Sequence, residues 1–92
     1  MRVKYSSRSI RELAAIYRYI AADNSFAAAK VLLALYAACD GLEHFPRRGR
    51  RGLRPNTREL LIVSPYKIQY KIARGGDVEI VSVWHGAQNR RG

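Results

Sequence analysis

Cysteine is nearly absent from this chain. Cys39 stands alone among 92 residues, which excludes an internal disulfide and any multi-cysteine metal site. Histidine is almost as scarce. His44 and His85 have no histidine, cysteine or carboxylate at ligand spacing, so neither a metal nor a cofactor is expected. No G-x-S-x-G occurs, and Arg48-Gly49-Arg50-Arg51-Gly52 lacks the spacing and lysine of a phosphate-binding P-loop. The apolar runs read as far shorter than the roughly 20 residues of a membrane span. The opening MRVKYSSRSIREL has neither the apolar core nor the small-residue cleavage site of a signal peptide. A cytoplasmic protein with no membrane association is the expectation. Acidic residues are the last scarcity, 7 against 17 lysines and arginines, for a net charge of +10. Self-repulsion on that scale favours a polyanionic or acidic partner.

What is abundant is arginine, and it is concentrated. Arg47, Arg48, Arg50, Arg51, Arg54 and Arg58 place six guanidinium groups in twelve positions. No small domain buries that much charge, so the segment sits in water or against something negative. The chain as a whole is 48% hydrophobic, too apolar for a disordered tail. Length and pattern predict one domain over residues 1–92. Neither an internal repeat nor a low-complexity linker interrupts it.

Periodicity predicts the elements. Arg2 to Tyr5 alternates as a short strand does. Ile10, Leu13, Tyr17 and Ile20 recur at helical spacing, and Ser9-x-x-Glu12 has the pattern of a capping box. Asp23-Asn24-Ser25 ends this helix near Ala22. A second helix, alanine-rich, runs from Phe26 to about Leu42, with Ala28, Val31, Leu32, Leu35, Cys39 and Leu42 as its apolar stripe. A connection this short predicts an antiparallel hairpin. Beyond the arginine segment, read as a loop, come strands at Arg58 to Val63, Tyr66 to Ile72 and Val78 to Trp84. On the last, Val78, Ile80, Ser82 and Trp84 are expected to face one way. Gly75-Gly76-Asp77 makes a hairpin turn, and the three strands a meander. Asn89 to Gly92 reads as a basic tail. The predicted class is α+β: a short N-terminal strand and a helical hairpin packed on an antiparallel sheet that the meander completes.

In this order the pieces IYRYIAADN, HFPRRGRRG, TREL, SPYKIQYKI and VEIVSVWHGAQNR resemble the ParE/RelE superfamily of bacterial type II toxins. Glu43-x-Phe45-Pro46, Arg58-Glu59-Leu60 and His85-Gly86-Ala87 are more similar to the ParE branch. That resemblance implies a plasmid-stabilisation toxin that binds DNA gyrase and blocks replication without covalent chemistry. It implies neutralisation by an acidic, ParD-like antitoxin with a ribbon-helix-helix start, which links the complex to operator DNA and builds a larger hetero-oligomer. Target docking is expected from Arg47, Arg48, Arg50, Arg51, Arg58, His85, Arg90 and Arg91. The alternating apolar positions Leu61, Val63, Ile68, Tyr70 and Ile72 need cover, and the antitoxin is expected to supply part of it. A RelE-like mRNA interferase is the alternative, with Arg58 and Lys67 as cations and His85 as the proton-transfer group. Ile62 stands where such a site uses arginine, and no tyrosine follows Trp84. A third reading is a plain nucleic-acid-binding module, which the basic charge alone supports.

Overall fold

A computed structural model describes residues 2–86 of the chain. The order is strand β1 (Val3–Tyr5), helices α1 (Ser7–Ala21) and α2 (Ser25–Asp40), a 3-10 turn at Gly41–Glu43, then strands β2 (Arg50–Arg51), β3 (Thr57–Leu60), β4 (Tyr66–Ile72) and β5 (Val78–His85). The strands form one sheet in the order β1-β5-β4-β3-β2. β3, β4 and β5 make the predicted antiparallel meander. β1 joins β5 in parallel across the whole intervening chain, so the sheet is mixed. The segment read as an arginine loop adds a fifth strand, with Arg50 opposite Glu59 and Arg51 opposite Arg58.

Helix α1 starts differently from the capping-box reading. Ser6 is the cap, its hydroxyl oxygen accepting the Ser9 N–H at 3.0 Å. Ser9 lies inside the helix, buried, and donates its hydroxyl to the Ser6 carbonyl at 2.8 Å. Glu12 has a longer reach. Its carboxylate accepts the Val83 N–H at 2.9 Å and the Ser82 hydroxyl at 2.8 Å, while Arg8 approaches at 3.4 Å. β1 covers only Val78 to Ile80 of β5. Past Ile80, Glu12 and Ser6 take over that uncovered edge, Ser6 donating to the Val81 carbonyl at 2.9 Å. A strand edge left open is a template for unwanted pairing. Here a helix closes it.

Along β5 the alternation breaks. Gln69 pairs with Ser82 but Tyr70 with Ile80, so Val81 has no partner and forms a bulge. Val83 therefore returns to the core with Val78 and Ile80. Ser82 and Trp84 fall on the opposite face, which corrects the expectation that they share one face with Val78 and Ile80. Trp84 is buried all the same.

The core joins Leu13 of α1 and Leu35, Ala38, Cys39 and Leu42 of α2 and the turn after it to Leu60, Ile68 and Tyr70 of the sheet. Of the residues expected on the inner stripe of α1, Leu13 faces inward, Ile10 is half exposed and Tyr17 about one-third exposed; Ser9 and Ile16 join Leu13 on the inner side. α2 carries large apolar residues on its outer side as well as its inner one, with Lys30 exposed among them. Its outer surface carries Phe26 and Leu33 at 75% and 70% exposure. By length and composition Ser25–Glu43, 19 residues with mean hydropathy 1.4, is long and apolar enough to span a bilayer. This corrects the reading that no run is; its inner face here is part of the core. Burial also pushes the Cys39 thiol up to about 12, so at neutral pH there is no thiolate to react.

Two outcomes follow. Glu12→Ala leaves the Val83 N–H without its carboxylate, at a cost of about 1–3 kcal/mol. Amide exchange at Val83 should quicken by more than the protein average; equal protection in both proteins would show that Glu12 does not hold the β5 edge. Cys39 should resist iodoacetamide in the native state and react once denaturant unfolds the chain. Rapid native labelling would contradict its burial.

Candidate functional site

The arginine segment owes its shape to one tyrosine. Tyr70, on β4, is completely buried, and its hydroxyl donates to the Pro46 carbonyl at 2.7 Å while accepting the Gly49 N–H at 2.9 Å. Arg58, on β3, adds a second clamp, its Nη1 donating to the Gly49 carbonyl at 2.7 Å and reaching the Arg47 carbonyl at 3.4 Å. Gly49 is held from both sides. A Cβ there would sit 2.7 Å from the Glu59 carbonyl and 2.7 Å from the Tyr70 hydroxyl, so only glycine fits. Burial pushes the Tyr70 phenol above its ordinary value, opposed by the Gly49 N–H and the nearby Arg58 guanidinium. Ionisation of this phenol is therefore resisted. Stability holds below the ordinary tyrosine value of 10.0 and is lost as pH rises beyond it.

Downstream of the clamp, the strand period sorts the arginines. Successive residues of a strand point to opposite faces. Arg50 meets Glu59, Nη2 to Oε1 at 3.3 Å. Arg51 is opposite Arg58 instead, and like charges on directly facing positions repel. The chain then loops over Gly52 to Asn56, closed by the Gly52 N–H on the Thr57 carbonyl at 2.8 Å and the Thr57 hydroxyl on the Arg54 carbonyl at 2.7 Å. Asn56 completes the turn at a φ of 64°, a conformation asparagine tolerates better than most residues.

The result is a cleft of roughly 600 Å³ lined by Arg47, Arg51, Arg54 and Arg58, with Leu53 and Ile72 as apolar lining. Its described lining holds neither a carboxylate nor an aromatic ring. Elsewhere most acids are engaged locally: Asp77 with Lys4, Glu79 with Lys71, Glu12 with Arg8 and Asp40 with Tyr5. The cleft's described lining supplies no acid against its four guanidiniums; Glu59, turned to Arg50, lines the adjoining pocket with Arg54.

The expected docking residues therefore separate. Arg47, Arg51 and Arg58 share the cleft, joined by Arg54, which the sequence reading did not single out. Arg50 is turned to Glu59, and Arg48 lies outside, beside exposed Phe45. Arg90 and Arg91 lie outside the described residues. The signal for Arg54 was its place in a five-residue hairpin loop, legible only once β2 is known to pair.

The interferase candidates do not converge. Arg58 pairs with Tyr70, and Lys67 with Trp84, so their side chains leave opposite faces of the sheet. His85 faces Tyr66, with ring centroids 5.5 Å apart, near the other end of β4. Tyr70 to Lys67 is about 10 Å along the strand.

The residues expected to meet an antitoxin also divide. Ile68 and Tyr70 lie entirely inside the core and offer no surface to a second chain, a correction that follows from the helices already covering them. Val63 and Ile72 are partly buried against that core. β3 ends at Leu60, leaving Leu61 exposed beyond it.

The comparisons agree on one lineage. The family model described as the ParE toxin of the type II toxin-antitoxin system, parDE, matches residues 3–90. Y4kP of Sinorhizobium fredii is 41% identical over 88 residues, covering 95% of this chain and 90% of that protein. Toxin RelE2 of Caulobacter vibrioides is 38% identical over 86 residues, covering 94% and 96%. A solved structure of a chromosomal ParDE system from P. aeruginosa superposes with a TM-score of 0.79 over 92% of this chain and 95% of that one. Its 20% identity speaks to the fold alone.

Tyr70→Phe should cost about 1–3 kcal/mol, the usual cost of leaving a buried donor unpaired. For a domain this size that lowers the melting temperature by about 4–8 °C per kcal/mol. Gly49→Ala should fall at least as far, since backbone must move. Melts unchanged from the parent in both variants would remove the clamp from the account.

Proposed function

Because the chain belongs to the ParE toxin family of type II toxin-antitoxin systems, we propose that it arrests growth in the cytoplasm by binding DNA gyrase and stalling it on DNA. The action is inhibitory docking. The single observation that carries this reading is the cleft of four guanidiniums with no carboxylate in its described lining, a surface suited to a large negative target. The dispersal of Arg58, Lys67 and His85 supports binding over catalysis, since general acid-base chemistry needs its groups within hydrogen-bond reach of one substrate. A second reading, the ribosome-dependent mRNA interferase, is favoured by the name of the relative RelE2.

The family carries an antitoxin partner. We infer that its toxin-binding segment is acidic and amphipathic, with its apolar side on the outer face of α2. Phe26 and Leu33 are seven residues apart there, the spacing that a partner helix reads as neighbouring anchors. Apolar burial gives such a complex its affinity, while opposite charge speeds encounter. Leu61, exposed past the end of β3, is a further contact.

Purified protein, made by cell-free synthesis, should inhibit supercoiling of relaxed plasmid by gyrase or accumulate cleaved plasmid with it. Codon-phased cuts in ribosome-bound mRNA, with gyrase unaffected, would transfer the function to the interferase reading.

A further inference from the structure

We propose that the cleft between β2, β3 and the Gly52–Asn56 loop is a binding site for the phosphate backbone of duplex DNA, so that the toxin touches DNA directly. This deepens the gyrase reading by naming what the cleft grips. It is measured without gyrase, so the two readings fail separately.

The cross-strand pair is the first support. Arg51 and Arg58 occupy facing positions with no acid between them. In the free protein that arrangement is repulsive, and an anion seated between the two forks reverses the sign. Planar guanidinium groups present paired donors that match phosphate oxygens. Arg58 spends its Nη1 on backbone carbonyls, yet guanidinium has five N–H donors. It is thus fixed in place with donors to spare. Arg47 and Arg54, exposed at the margins, meet the phosphates on either side.

What the lining lacks selects the form of nucleic acid. Single-stranded DNA and RNA are held by aromatic platforms on which unstacked bases lie. The described lining has no aromatic ring; its apolar members are aliphatic Leu53, Ile72, Pro55 and Ala73. Such a cleft contacts backbone and leaves bases stacked in their duplex. Binding is then indifferent to sequence and strongly dependent on salt.

The sorting of arginines by strand face supplies the test. Arg51→Ala with Arg54→Ala, and Arg48→Ala with Arg50→Ala, each remove the same charge, one pair from the cleft and the other from outside it. Fluorescence anisotropy of a mixed-sequence duplex of about 20 base pairs, followed from low to moderate KCl, reads both affinity and salt slope. The parent should show a log–log slope near −4, about 0.9 per phosphate contact for the four arginines. The cleft pair should weaken binding more than tenfold and reduce the slope by about two. The outside pair should stay within threefold of the parent. Arg51→Lys with Arg54→Lys should keep most of the slope and lose part of the affinity. Circular dichroism melts establish that each variant is folded, and the outside pair is read in the same way. Equal losses in the two alanine pairs would reduce the effect to net charge and overturn the site. Tighter binding of the parent to single-stranded DNA, RNA or a polyglutamate peptide than to the duplex would overturn the choice of ligand. Gyrase inhibition that persists with no duplex binding would overturn this inference and leave the preceding one standing.

Discussion

A buried phenol governs the surface of this protein. The Tyr70 hydroxyl lies in the interior of a small sheet, where an unpaired polar group costs more than a hydrogen bond gains. Among the described residues it is satisfied by the Pro46 carbonyl and the Gly49 N–H. That requirement draws the start of the arginine segment down onto the sheet and demands glycine at the point of contact. Arg58 locks the same turn from the other side. Once the turn is fixed, the next residues have no choice of face. Arg50 goes to Glu59 and Arg51 to the cleft. A charged run that would otherwise be a solvated loop becomes a shaped site.

Much of this was legible beforehand. The meander, the helical hairpin and the N-terminal strand follow from period and turn chemistry, and the α+β arrangement predicted is observed. Three features were not legible, each for a physical reason. Strand β2 has two residues, Arg50 and Arg51, with no apolar alternation to betray it; it exists because Gly49 is pinned and β3 needs a partner. The bulge at Val81 moves Ser82 and Trp84 across the sheet, and no local sequence sign distinguishes an unpaired valine from a paired one. Glu12 matched a capping box but serves a strand 71 residues away. Tertiary demand overrode the local pattern.

The site shows the same division. Composition pointed to the arginine segment, and the family resemblance to its use. Which arginines act together depends on strand parity, which no count of charge reveals. Tyr70 itself was read as an apolar position awaiting a partner. It is an interior residue whose one polar atom organises the exterior. The helix α2 carries a complementary lesson. Its exposed side carries Phe26 and Leu33 as well, so an inner stripe traced from periodicity captures only part of its apolar surface. A chain of this size has a modest core, and the proposed partner on that outer face would add burial that the chain alone does not make.

The account turns on the sorting of arginines, and arginine footprinting tests that most directly. The toxin is treated with phenylglyoxal alone and when bound to a gyrase–DNA complex, and modification of each arginine is read by mass spectrometry. The account predicts that Arg47, Arg51 and Arg54 are protected in the complex while Arg48 and Arg50 react as they do in the free protein. Protection spread evenly over all five, or confined to Arg48 and Arg50, would contradict it.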